Sequence, residues 1–490
     1  MNDDKIKSIH SLFKPRNVVI FEAKEKLDYF IGGFKSQGFN PENLYLISPT
    51  AEEILGIKCY KTVNEIPTDT IDLLIMAVRR EILLQSLKNI LSSKKVHAIH
   101  LFTAGTGEMD DIGVKIEDEI KDILDHEYPN TRAIGPNCMG VYCPGHSAFM
   151  PMFPKDRGNI ALIFHSGALC GRAIVYGSVR YNLKYSYGVS VGNCLDLQVT
   201  DFLEFFNQDN NTDIIGIYFE GFSRFNKHEG RKFLSILKKM QKPVIFLIGG
   251  KSKRAQTAVL THTASLGSDE KIWKAIFKQT PLIEVGSSFD ELIDYLFMFF
   301  IFFKKNGKLS IQERINRYPK GKNALVIIGS GGMGIIDTDI LTEFNLNLPL
   351  FDEETKKKLM KTYPLKIGSL NNPLDTPWIS RSKGYANLCK AAISEDIDLV
   401  VMHSDSLRTG KTFEIYYNNL KLIKEHVESL NKVLILILPE YPDNSRKRYY
   451  KRLIGDGFVV YPDLRRAAKA FSAFYRHGQQ LKRTLKTEKE

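Results

Sequence analysis

The feature that most restricts the fold of this chain is a recurring pattern of short, almost continuously apolar runs, each followed by an amphipathic stretch. In the first third these runs are NVVIF (17–21), NLYLI (43–47), DLLIMAV (72–78) and VHAIHLF (96–102), with helical periodicity between them, as in RREILLQSLKNIL (79–91). A strand that is apolar on both faces needs cover on both, and helical connections bring each strand in parallel to the last. The rhythm restarts at NIALIF (159–164) and continues through YSYGVSV (185–191), IIGIYFE (214–220) and VIFLIG (244–249), with helices near 196–207 and 228–240. It restarts again at NALVIIG (323–329), followed by DLVVMHS (398–404), VLILILP (433–439) and FVVYP (458–462). The pattern predicts an α/β chain of three doubly wound domains at 1–150, 151–303 and 323–480. A basic Pro- and Gly-containing linker is predicted over 304–322, and a frayed tail after about 478.

Composition narrows the function. With 43% hydrophobic and 25% charged residues the chain matches an ordinary globular protein. Its six cysteines, at 59, 138, 143, 170, 194 and 389, form neither a disulfide framework nor a paired zinc pattern, so a cytoplasmic setting and no metal site are expected. MNDDKIKSIH lacks the apolar core of a signal peptide. The run YLFMFFIFF (295–303) is too short to span a bilayer and is expected to end a buried helix. The net charge of +12 is uneven: residues 1–150 carry 17 Lys/Arg against 21 Asp/Glu, residues 304–490 carry 33 against 21. The densest basic segments, KKK (356–358) and RKRYYKR (446–452), fit solvated helix faces better than a nucleic-acid surface, so neither nucleic acid nor membrane is an expected partner.

Three segments carry chemistry. HSGAL (165–169) follows the strand NIALIF and opens a helix; there Ser166 and Gly167 either cradle a phosphate on the helix N-terminus or simply form a capped turn. LTHTASLG (260–267) places His262 between two threonines on a Gly- and Ser-rich loop, where an imidazole is either a phosphoryl acceptor or a surface side chain. FEG (219–221) ends a strand on Glu220, a carboxylate placed to orient an imidazole or to cap the next helix.

Taken in order, these segments resemble the α subunit of the NDP-forming acyl-CoA synthetases, relatives of succinyl-CoA synthetase. The resemblance also rests on GPNCMGVYCP (135–144), GNIALIFHSGAL (158–169), GVSVGN (188–193), GGMGIIDTD (331–339) and NNPLD (371–375). It implies a Rossmann-like CoA-binding domain followed by two flavodoxin-like domains. It also implies a reversible reaction in which acyl-CoA, phosphate and ADP give carboxylic acid, CoA and ATP through an acyl phosphate and a phosphohistidine. Carried over residue by residue, His262 is the phosphoryl acceptor and Glu220 its orienting carboxylate. Ser166, Gly167, Gly192, Asn193 and Thr263 hold phosphate, while Phe21, Glu22, Ala23, Ser48, Pro49, Glu108, Pro136 and Asn137 hold CoA. No Walker-type loop and no further length for an ATP-grasp module is present, so ADP/ATP and Mg²⁺ are expected mainly on an ATP-grasp β subunit in a hetero-oligomer.

The chain departs from the family pattern where CoA should bind. The first strand runs into EAKEK (22–26), without glycine, and the second into Ser48-Pro49-Thr50, without a lysine. AGTGE (104–108) keeps Glu108 but has Thr106 in place of an aromatic, Ala264 replaces a loop glycine, and His165 replaces a glutamine. The alternative reading is therefore a non-catalytic regulatory relative that binds CoA or a nucleotide.

Overall fold

The computed structural model describes residues 3–25, 28–252, 254–255, 270–286, 288–303, 310–363, 367–377, 379–404, 411–439 and 444–487. It divides into two compact units, Met1–Leu296 and Phe297–Glu490.

The first unit holds two sheets. Strands β1 (Val18–Phe21), β2 (Leu44–Ile47), β3 (Glu53–Ile54), β4 (Ile57–Tyr60), β5 (Thr70–Met76), β6 (Lys95–Leu101) and β7 (Arg132–Ile134) form one, in the order β3-β4-β2-β1-β5-β6-β7. All pairings are parallel except the β3–β4 hairpin, whose turn residues Leu55 and Gly56 both have positive φ. Apolar runs buried on both faces supply its centre: Val18, Val19, Ile71, Leu74, Ile99 and Leu101 are fully buried. The second sheet takes β8 (Val141–Tyr142), β9 (Arg157–Phe164), β10 (Tyr185–Ser190), β11 (Ile214–Phe219), β12 (Val244–Ile248) and β13 (Ile283–Glu284), ordered β13-β12-β11-β9-β10-β8. Its antiparallel edge, β8, comes from the chain before residue 150.

Helix Asp3–Phe13 joins the two sheets. Ser8 donates to the His97 carbonyl at the first, while the Phe13 ring packs on Tyr187 of the second and on Phe202, Phe205 and Phe206 of the helix Val199–Gln208 beside it. Fully burying such an aromatic contributes about 1.5–3 kcal/mol.

Within β5 of the first sheet, Asp72 is buried and receives Arg16 Nε at 3.1 Å, the Arg16 N–H at 2.8 Å and the His97 ring at 3.0 Å. Burial by itself would raise this carboxyl; the hydrogen bonds from Arg16 and His97 outweigh it and hold it below its ordinary value. A folded value below the unfolded one stabilises the fold at pH above about 4, and that stability is lost as pH falls through the folded value. Asp72→Asn should therefore melt below wild type at pH 7 and approach it near pH 3. A gap of equal size at both pH values in thermal unfolding would show that the charge is not its source.

The second unit holds β14 (Ala324–Ile328), β15 (Ser369–Leu370), β16 (Leu374–Asp375), β17 (Leu399–His403), β18 (Val433–Ile437) and β19 (Val459–Tyr461), ordered β15-β16-β14-β17-β18-β19. Phe299 and Phe303, from the end of helix Phe289–Phe303, pack there on Tyr318 and Phe474. The Tyr318 hydroxyl meets His477 Nδ1 at 2.7 Å. Two expectations change in this unit. The stretch read as a linker contains the helix Ile311–Asn316, opened by a reciprocal Ser310–Glu313 cap and burying Arg314. The tail continues as helix Leu464–Thr487, because Leu481 is one more buried position of an amphipathic face. Among the described residues no helix is long and apolar enough to cross a membrane.

Candidate functional site

In open parallel sheets, ligand crevices form beyond the carboxyl ends of strands where the connections part to opposite faces. The first sheet parts between β1 and β5, the second between β9 and β11. The two places meet. A cleft of about 450 Å³ is walled on one side by Lys24 after β1, Ala77–Arg79 after β5, Phe102–Ala104 after β6 and Asn137–Met139 after β7. On the other side it is walled by His165–Ala168, directly after β9.

The second wall is a helix N-terminus. Ser166 is the N-cap of helix Gly167–Tyr181, and its Oγ accepts the Leu169 N–H at 3.4 Å, so the capped turn is real. The first-turn N–H groups of Gly167 and Ala168 have no intrahelical acceptor and lie on residues that wall the cleft, and free N–H groups at a helix N-terminus favour an anion. Gly167 is required there, since a Cβ would stand 2.3 Å from Met139 Cγ and 3.1 Å from the Met139 nitrogen.

Behind the cleft a buried polar clasp ties the two sheets together. Asn193 Nδ2 donates to Glu108 Oε2 at 2.7 Å and to Glu117 Oε1 at 2.9 Å, and Thr106 Oγ1 touches the same two carboxylates at 3.0 and 2.8 Å. Arg224, on the segment after β11, reaches Glu117 Oε2 at 3.3 Å and Asp118 Oδ1 at 2.6 Å. The Asn193 N–H donates to the Pro136 carbonyl at 3.0 Å, the Gly192 N–H to the His165 carbonyl at 3.3 Å, and the Asn137 N–H to the Thr103 carbonyl at 2.8 Å.

The sequence-predicted residues therefore fall into groups. Ser166, Gly167 and Asn137 wall the cleft. Gly192, Asn193, Glu108 and Pro136 are not on its wall; they hold the walls in register from behind. Phe21, Glu22 and Ala23 lead into Lys24, whose Nζ pairs with Glu22 at 3.2 Å, and Glu22 adopts φ 56° in the left-handed region. Ser48 is buried, its Oγ accepting the Ala51 N–H, and Pro49 is exposed; neither walls the cleft. Lys24, Arg79, Phe102 and Met139 were missed, although each follows a parallel strand at the end where ligands bind.

Glu220 directly follows β11 and is 6% exposed. Its N–H donates to His165 Nδ1 at 3.4 Å. The neighbouring Tyr218 hydroxyl is pushed well above its ordinary value by burial, then by the charge and hydrogen bond of the Glu220 carboxylate. His262 and Thr263 lie outside the described residues. The chain leaves β12 through Gly249–Lys251 and helix Glu270–Gln279 follows; Gly249, Lys251, Glu270 and Trp273 border a second cavity of about 320 Å³.

Comparison with known proteins agrees with this layout. A family model described as a CoA binding domain matches residues 35–144, beginning beyond the altered loop at 22–26. A second, described as a succinyl-CoA ligase like flavodoxin domain, matches 157–299. The α subunit of acetate–CoA ligase [ADP-forming] II from Pyrococcus furiosus is 30% identical over 399 residues, 79% of this chain and 80% of that one. The α subunit of acetate–CoA ligase [ADP-forming] I from the same organism is 29% identical over 485 residues, 96% of this chain and 97% of that one. A dinucleotide forming acetyl-coenzyme A synthetase 1 of Ca. Korarchaeum cryptofilum, solved with phosphate and ADP, superposes with a TM-score of 0.78 at 25% identity and 98% coverage of both chains. On this sequence likeness and on a shared three-sheet fold, the chain belongs to the NDP-forming acyl-CoA synthetase family, among its α subunits.

Proposed function

We propose that this chain is the CoA- and phosphate-handling half of an acid–thiol ligase that interconverts acyl-CoA, phosphate and ADP with carboxylic acid, CoA and ATP. The observation that carries the reading is the cleft itself: the segment matching a CoA-binding model forms one wall, and the Ser166–Gly167 helix N-terminus forms the other.

In the forward direction a phosphate oxygen, held at the helix N-terminus, attacks the thioester carbonyl carbon. The C–S bond breaks, CoA leaves as the thiol, and an acyl phosphate remains. A nitrogen of His262 then attacks phosphorus, the bond to the acyl oxygen breaks, and the carboxylic acid departs. N–H donors fixed in place before the reaction stabilise charge on the transferring group, generally the largest single contribution in such chemistry. Glu220 orients the His262 ring and Thr263 assists in holding the phosphoryl group. Lys24 and Arg79, on the first wall, meet the anionic part of CoA. An ATP-grasp β subunit supplies the nucleotide site and Mg²⁺, completing a hetero-oligomer in the cytoplasm.

Calorimetric titration of the full chain with CoA tests the first wall. Saturable binding is expected, weakened at least tenfold by Gly167→Val, whose side chain collides with Met139 on the facing wall. The absence of any heat at millimolar CoA would instead favour the non-catalytic regulatory relative.

A further inference from the structure

We propose that His165 is a positioning residue for Glu220, acting through the Glu220 backbone; this rests on the phosphohistidine reading above.

Strands β9 and β11 pair in a parallel ladder. In such a ladder a residue on one strand donates its N–H to one carbonyl of the neighbour and accepts, on its own carbonyl, the N–H two residues further along. His165 makes the first of these bonds, its N–H donating to the Tyr218 carbonyl at 3.2 Å. Its carbonyl is committed elsewhere, accepting the Gly192 N–H at 3.3 Å from the β10 side. Glu220 is 6% exposed, and a buried N–H left without an acceptor costs about 1–3 kcal/mol. The imidazole supplies that acceptor: Glu220 N–H donates to His165 Nδ1 at 3.4 Å.

Nδ1 also lies 3.4 Å from the Tyr218 carbonyl, which already accepts the His165 N–H, so Nδ1 is assigned to the Glu220 N–H. In that assignment Nδ1 carries no proton and the proton sits on Nε2, which faces Cys194 Sγ at 3.7 Å. The ring is held edge to face against Phe219, with centroids 5.1 Å apart. Both nitrogens are thus occupied by the protein, which separates His165 from the acid–base chemistry of the cleft it helps to wall. One side chain therefore links the phosphate seat at Ser166–Gly167 to the carboxylate proposed to orient His262. A glutamine carbonyl oxygen can accept the same N–H; an alanine cannot.

The test uses the full chain with ³²P-labelled acetyl phosphate, following the initial rate of acid-labile, base-stable label in wild type, H165Q, H165A, E220Q and the H165A/E220Q double variant. H165Q should stay within about twofold of wild type and H165A should slow at least tenfold. On the E220Q background H165A should add less than about twofold, because the two act in series. An H165A rate equal to wild type, an H165Q rate as low as that of H165A, or a full further loss in the double variant overturns the inference. Wild type that takes no label overturns the phosphohistidine reading beneath it. Should H165A fail to fold, the ¹⁵N imidazole spectrum of wild type decides: a proton on Nε2 supports the assignment and a proton on Nδ1 overturns it.

Discussion

A chain carrying His262→Asn is expected to accept no phosphoryl group from acetyl phosphate, its label falling to background while its melting curve overlays that of wild type. The expectation follows from chemistry at one atom. Asparagine keeps a polar side chain of similar reach but has no nitrogen lone pair able to attack phosphorus near neutral pH, whereas neutral imidazole has one. The loop sequence LTHTASLG offers hydroxyls but no second nitrogen nucleophile of this kind. Acid-labile, base-stable radioactivity, mapped by peptide mass spectrometry, is the readout. Label that persists in the variant would move the phosphoryl carrier elsewhere in the chain.

The second large effect is structural. Gly192→Ala should destabilise the first unit by about 3 kcal/mol or more, lowering its Tm by at least about 5 °C. Gly192 has φ +57°, and a Cβ there would stand 2.1 Å from the Pro136 carbonyl oxygen and 2.8 Å from that of Asn137. Both obstacles are backbone, so neither can rotate away. They also belong to the segment that lines the CoA side of the cleft, and CoA affinity should fall along with stability. A variant that melts with wild type would mean that the GPN turn yields more easily than its hydrogen bonds to Thr103 and Val191 imply.

Much of this architecture was legible in the sequence because its signals are local. Runs such as DLLIMAV and NIALIF can only be strands covered on both faces, and the observed β5 (Thr70–Met76) and β9 (Arg157–Phe164) overlap them. The pieces that were missed are too short for any period to show. The hairpin β3–β4 turns through Leu55-Gly56, where a leucine at positive φ does not announce a turn, and β7 and β8 contribute three and two residues. In the site, Ser166-Gly167 was readable because a strand-to-helix turn is written in consecutive residues. Lys24, Arg79, Phe102 and Met139 were not, since which loops face one another depends on how two sheets pack. Asn193 and Glu108 illustrate the converse. Their motifs are visible, but only the fold shows that one amide joins two carboxylates behind the cleft. The histidine loop falls outside the described residues, and the pairing of His262 with Glu220 is proposed from the family likeness.

The central claim is that the cleft and His262 operate in series, with acyl-CoA entering at one wall and a phosphoryl group leaving on the histidine. It is tested most directly by incubating the full chain with ³²P-labelled inorganic phosphate, with and without acetyl-CoA, and mapping any label. The account predicts phosphohistidine at His262 that appears only when acetyl-CoA is present, with acetate and free CoA released in step. Phosphate incorporated without acetyl-CoA, or acetyl-CoA consumed while the label sits on another residue, would contradict it.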